Sequence, residues 1–278
     1  MTGVPPIKLA PHDSPLGRWE SIARRPHTAA VDLSFGYQGF RGEMRLRREL
    51  HLPSGFPAIV VNFGAPFLVT DAGGTDPVVV GDIGYMGVRS TPFVTDTSVE
   101  RDLLVINLTP IGARRLLGAP MSELTNKWFS LADIVGRRAR ELNERLHDAT
   151  DWRTRFSVLD AFLLTRSAEA PTPRRDLSPA WRWMSAGGGA AALARRLDVS
   201  HKHLIDQFRD QIGLPPKLVG RLARFNRVLR LRGPADWAEA AHTCGYFDQA
   251  HMINEFRDFA GATPGALAER RAAFTLRA

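Results

Sequence analysis

The chain of 278 residues is 44% hydrophobic and 24% charged, with 24 glycines and 19 prolines, which excludes collagen-like, low-complexity and wholly disordered classes. Its net charge of +8 suits a nucleic-acid partner without requiring one. A single cysteine, Cys244, excludes an internal disulfide framework and any multi-cysteine metal site.

At roughly 150 residues per domain, two domains are expected, each able to bury a core. Met1–Pro6 lacks a basic region followed by an apolar run, and no stretch reaches the ~18 apolar residues of a membrane helix. A cytoplasmic protein with no membrane partner is therefore expected. The charge is uneven. Residues 176–278 hold 15 Lys and Arg against 10 Asp and Glu, whereas residues 1–175 hold 22 against 19.

From Val31 to Leu108 the pattern predicts short strands. Leu33–Tyr37 and Met44–Arg47 alternate apolar and polar residues, as half-solvated strands do. Ala58–Phe63 and Leu103–Leu108 are apolar runs suited to buried strands. Turn signals separate them at Pro53-Ser54-Gly55, Asp71-Ala72-Gly73-Gly74 and Val80-Gly81-Asp82. A compact β-sandwich or barrel is expected.

Past Pro120 the pattern turns helical. Ser130 and Asp133 resemble a capping box, followed by a stripe of Leu131, Ile134, Val135, Leu142 and Leu146. Trp152, Phe156, Leu159 and Leu163 form a second stripe, so an antiparallel helical hairpin is expected. It either packs on the β domain or serves as a dimerisation element. Residues 168–176 read as a proline-broken linker, after which Ser178-Pro179 predicts a capped helix start.

The C-terminal part contains an internal repeat. His203–Gly213 aligns with His251–Gly261 at an offset of 48, and Ser200 with Asp248 and Pro216 with Pro264 keep that offset. Each copy predicts a helix-turn-helix: Ala190–Leu197, a turn, and a helix from Ser200 to Ile212; then Trp237–Cys244, a break at Gly245, and a helix from Asp248 to Ala260. A helix over Leu218–Leu231 joins them, its core stripe being Leu218, Leu222, Phe225 and Leu229. Arg221, Arg224, Arg227 and Arg230 recur every third residue. Beside two such units they read as attraction to DNA, with Arg221, Arg224 and Arg227 as phosphate-contact candidates.

Ala192–Ser200 with Leu204 and Phe208-Arg209, then Gly245–Gln249 with His251, Phe256-Arg257, Gly261 and Thr263-Pro264, resemble the AraC/XylS family of transcription regulators. The resemblance covers roughly residues 177–271. It implies a bipartite DNA-binding domain whose two recognition helices enter successive major-groove segments, behind a β-rich sensor or dimerisation domain. By motif position the base-facing residues are His201, Lys202, Ile205 and Asp206 in the first unit, and Gln249, Ala250, Ile253 and Asn254 in the second. Lys202 suits guanine, and Gln249 and Asn254 suit adenine edges. Many relatives carry arginine where Asp206 and Asn254 stand. Leu204, Phe208, Met252 and Phe256 are expected inside.

The expected fold class is α+β. A β-rich, cupin-like barrel or sandwich occupies residues 1–120, a helical hairpin and linker 121–170, and an all-α pair of helix-turn-helix units 171–278. His201-Lys202-His203 is no metal pair, because on a helix its two imidazoles point to different faces. Cys244 reads as a buried structural thiol. No catalytic residue, cofactor or metal is expected. The expected function is sequence-specific transcription regulation, with operator DNA, RNA polymerase, a small-molecule effector and a second copy of the chain as partners. The alternatives are an enzyme, or an assembly domain without a ligand, fused to a DNA-binding module.

Overall fold

The computed structural model describes residues 5–14, 16–45, 47–170, 177–231 and 236–271, the last three by backbone alone. In chain order the strands are β1 (Lys8–Ser14), β2 (Gly17–Arg24), β3 (Ser34–Met44), β4 (Arg48–His51), β5 (Ala58–Asn62) and β6 (Phe67–Asp71). They continue as β7 (Val78–Val80), β8 (Ile83–Met86), β9 (Phe93–Asp96), β10 (Glu100–Leu108) and β11 (Trp128–Ser130). Seven form one sheet in the order β1-β2-β3-β10-β5-β8-β11; the other four form a second, β4-β9-β6-β7. All the pairings are antiparallel. The expected strands at 33–37 and 44–47 are corrected: β3 runs unbroken from Ser34 to Met44, held between β2 and β10.

The large sheet is covered on both faces, which is why β5 and β10 read as apolar runs. On β10, Leu104, Ile106 and Leu108 join the core beneath the helices, while Leu103, Val105 and Asn107 line a cavity facing the small sheet. On β5, Ile59 and Val61 face the helices, and Ala58 and Val60 face that cavity. The period-two side-chain alternation builds both layers from one strand.

The helices begin with α1 (Pro110–Leu117), α2 (Met121–Leu124) and α3 (Leu131–Val135). Ser130 caps α3 by accepting from Ala132 N at 3.3 Å, and Gly136 at φ 65° separates it from α4 (Arg137–Asp148). α5 (Trp152–Glu169) then runs back over the sheet. Leu131, Leu142, Leu146, Phe156, Leu159 and Leu163 are buried with Tyr37, Ile59 and Leu104, so the chain's own sheet covers the hairpin stripe. Strand β11 pairs with β8, which extends the β-rich unit to Ser130 rather than ending it at 120. Of the expected linker, residues 168–169 still belong to α5 and 171–176 lie outside the described residues.

The C-terminal helices are α6 (Ser178–Ser185), α7 (Ala190–Arg196), α8 (His201–Ile212), α9 (Pro216–Arg230), α10 (Trp237–Thr243), α11 (Gln249–Ala260) and α12 (Pro264–Arg271). Leu177, not Ser178, holds the cap position of α6: Ser178 is already helical, with Pro179 fitting the first turn. Leu204, Phe208, Leu222, Phe225, Met252 and Phe256 share one core. Leu52, Val88 and Ile111 from the N-terminal half belong to that same core.

Candidate nucleic-acid interface and sensor cavity

Both C-terminal units are built alike. Ser200 Oγ accepts from His203 N at 3.1 Å to start α8, and Asp248 Oδ1 accepts from His251 N at 2.7 Å to start α11. Gly213 at φ 93° and Gly261 at φ 64° end these helices in the left-handed conformation that glycine adopts without strain. The offset of 48 holds for α8 and α11, from the caps onward. It does not persist into the first helices, where α7 and α10 are offset by 47. The second turn is one residue longer, and that loop carries Phe247, whose side chain is 82% exposed.

The base-facing candidates lie at the start of their helices. His201, Lys202, Asp206, Gln249, Ala250 and Asn254 are exposed, and Ile205 and Ile253 are half-buried. Leu204, Phe208, Met252 and Phe256 lie inside. Each helix thus offers a polar N-terminal turn and free backbone amides on the surface while its other face is core.

Residues 193–270 match a family model described as "Helix-turn-helix domain", and residues 38–130 match one described as "Domain of unknown function (DUF6597)". The chain carries an AraC-type helix-turn-helix domain. No curated protein sequence matches the chain significantly. Among solved structures, ToxT from Vibrio cholerae is similar at 11% identity and a TM-score of 0.46, over 80% of this chain and 93% of that one. Wild-type ToxT with an unsaturated fatty acid bound gives 12% and 0.42, over 80% and 94%. The AraC-like transcriptional activator CuxR gives 14% and 0.29, over 84% and 87%.

In the AraC-type domain, the three phosphate-contact candidates on α9 are half-buried and hydrogen-bonded to protein groups. Arg221 Nε donates to Glu255 Oε1 at 2.9 Å, and Arg224 donates to the same oxygen at 2.7 Å. Arg227 donates to the carbonyls of Cys244 and Ser185, both at 3.2 Å. Arg221 and Arg224 are drawn in by Glu255, 3% exposed on the inner face of α11, which needs cations within reach. Tyr246 packs beside it, and burial together with the Glu255 charge pushes its phenol up. Cys244 is 3% exposed; burial raises its thiol pKa, although the Arg227 charge opposes this.

The AraC-type domain is seated on the β-rich half at α6, α8 and α9; at α6, Trp181 lies 5.7 Å from Phe35. At the end of α8, Thr125 Oγ1 donates to the Gly213 carbonyl at 2.9 Å, and Arg114 lies 3.6 Å from Asp210. Along α9, Asn226 Nδ2 donates to the carbonyls of Ser54 and Pro53, at 3.0 and 3.3 Å. These seats leave the N-terminal turns of α8 and α11 on the surface.

Between the two sheets lies a cavity of about 250 Å³. Phe40, Phe56, Phe67, Phe93 and Trp128 supply aromatic wall, and Val60, Met86, Leu103 and Val105 aliphatic wall. Its polar side is built from β4, β9 and β10. Glu49 pairs with Arg101, both buried, and His51 Nε2 lies 2.9 Å from Thr95 Oγ1 while stacking on Phe93. Sequence reasoning missed these residues, because Glu49 and His51 alternate with Arg48 and Leu50 like any half-solvated strand. Only the pairing of β4 with β9 turns them inward.

Proposed function

We propose that the protein is a sequence-specific transcription regulator whose operator is read by α8 and α11 and whose sandwich cavity takes a small effector. The observation that carries this reading is the matched pair of capped helices, each with an exposed polar first turn, held by α9. Base readout is assigned to His201, Lys202, Ile205 and Asp206, and to Gln249, Ala250, Ile253 and Asn254. Because Arg221, Arg224 and Arg227 are engaged with protein groups, phosphate contact falls to the helix N-termini and to exposed Arg195, Arg196 and Lys217. Three units follow: the β-rich part, the hairpin and the DNA-binding part.

The cavity is smaller than the ~300–1,000 Å³ of drug-sized sites, so its occupant is a compact molecule. Its body is apolar or aromatic, and its polar end meets the Glu49–Arg101–His51 side. Selection from random duplexes with the full-length protein tests the reading. One enriched two-part sequence, bound less tightly as salt rises, is expected. Enrichment of no sequence would overturn it.

A further inference from the structure

We propose that the segment Leu52–Phe56 is the relay between the cavity and the DNA-binding domain; the proposal rests on the cavity being an effector site. Leu52, Ser54 and Phe56 all line the cavity. Each also reaches the C-terminal helices by a different route. Leu52 is buried in the same core as Leu214, Leu222 and Phe225. The carbonyl of Ser54 accepts from Asn226 of α9 at 3.0 Å. Phe56 meets Phe35 edge-on at 5.4 Å, and Phe35 lies 5.7 Å from Trp181 of α6. On the far side of this wall is a cleft of about 390 Å³, to which Ser54, Phe56 and Asn107 also contribute.

The segment is compact, because Ser54 Oγ donates to the Phe56 carbonyl at 3.0 Å and ties the turn to itself. Gly55 stands at φ 76°, with Leu222 opposite it. Such an element moves as a unit. A molecule entering the cavity displaces Phe56, and the backbone that shifts with it carries both carbonyls held by Asn226. The effector then biases the seat of α9 to the extent that it binds one arrangement better than the other. Since α9 carries Arg221 and Arg224, the seat of α9 sets the placement of α11 relative to α8.

The test fills the cavity by mutation, so that no effector need be known. Val60→Phe reaches into the cavity from β5, and Leu103→Phe does so from β10 should the first fail to fold. Each is made in the full chain, alone and with Asn226→Ala. Amide exchange over 52–57 and 216–230 and affinity for the selected operator are then measured. Filling is expected to change operator affinity by about 5- to 20-fold, within the range of ordinary coupling, and to alter exchange in both segments. In the Asn226→Ala background the affinity change should shrink severalfold. An equal change in both backgrounds, or none on filling, would overturn the relay. A wild-type chain that selects no DNA would overturn the functional reading instead.

Discussion

Glu255 of α11 accepts from Arg221 and Arg224, two residues one helical turn apart on α9, through a single carboxylate oxygen. The contact joins the second helix-turn-helix unit to the connecting helix. Asn254, the neighbouring residue, is exposed in the second turn of α11. The arginine ladder therefore fixes where α11, and with it Asn254, sits relative to α9.

Glu255→Ala should destabilise the protein by about 3 kcal/mol, the low end of the range for breaking a buried pair, since both arginine side chains retain some exposure. Glu255→Gln, which keeps an acceptor but loses the charge, should fall between. Urea unfolding of the two variants checks this. Equal stability of Glu255→Ala and the parent would show that the network adds nothing.

The repeat was legible because caps, glycines and apolar positions obey local rules, and Ser200, Asp248, Gly213 and Gly261 stand where those rules put them. The arginines were not legible. A three-residue spacing describes a helix surface, but whether Arg221 meets water, phosphate or protein depends on Glu255, 34 positions away in sequence. The N-terminal half suffered from the same lack. β1 and β2 carry few apolar residues and are held by pairing, β1 with β2 and β2 with β3, so their sequence gives little sign of strand. The cavity is non-local as well, its polar side being closed only when β4 pairs with β9.

Gly213→Ala should destabilise on two counts. Its φ of 93° strains any side chain, and an added Cβ would come within 2.5 Å of Thr125 Oγ1. The conformational part costs about 1–2 kcal/mol. Thr125→Ala removes the colliding hydroxyl along with its hydrogen bond to the Gly213 carbonyl, so Gly213→Ala should lower the melting temperature less in a Thr125→Ala background than in the parent. An equal loss in both backgrounds would show that the two residues do not press on each other.

Cys244 should resist alkylation in the folded protein at pH 8. Burial raises its pKa, so the fold favours the neutral thiol. A group whose folded pKa is raised contributes stability that is present below the unfolded pKa and lost as pH rises through the folded one. Stability attributable to Cys244 should thus decline above about pH 8.5, and Cys244→Ala should flatten that decline. Rapid labelling of the native protein by iodoacetamide at pH 8 would contradict the assignment.

Phe247→Ala should leave the melting temperature nearly unchanged, because a side chain 82% exposed gives up little packing. It occupies the extra turn residue immediately before the cap of α11, so operator affinity should fall even though stability does not. Filter binding beside thermal unfolding separates the two quantities. Unchanged affinity would place Phe247 outside the interface.

The two recognition helices should divide the operator between them. Lys202 lies in the first turn of α8, and Asn254 follows the first turn of α11; both are exposed and flank the buried Leu204 and Met252. With α9 holding the units together, engagement of one helix makes the second contact nearly free of further ordering cost. Lys202→Ala and Asn254→Ala should each weaken specific binding by about 1–3 kcal/mol. Each should also relax preference over a different part of the site, roughly one helical turn apart. Leu204→Asp serves as the control, since it buries a charge in the core and should unfold the first unit without reporting on readout. Repeating the selection with each alanine variant decides the matter. Loss of preference at the same base pairs in both variants would mean that α11 does not read independently, and an unchanged sequence with Asn254→Ala would mean that its reading face lies elsewhere on the helix.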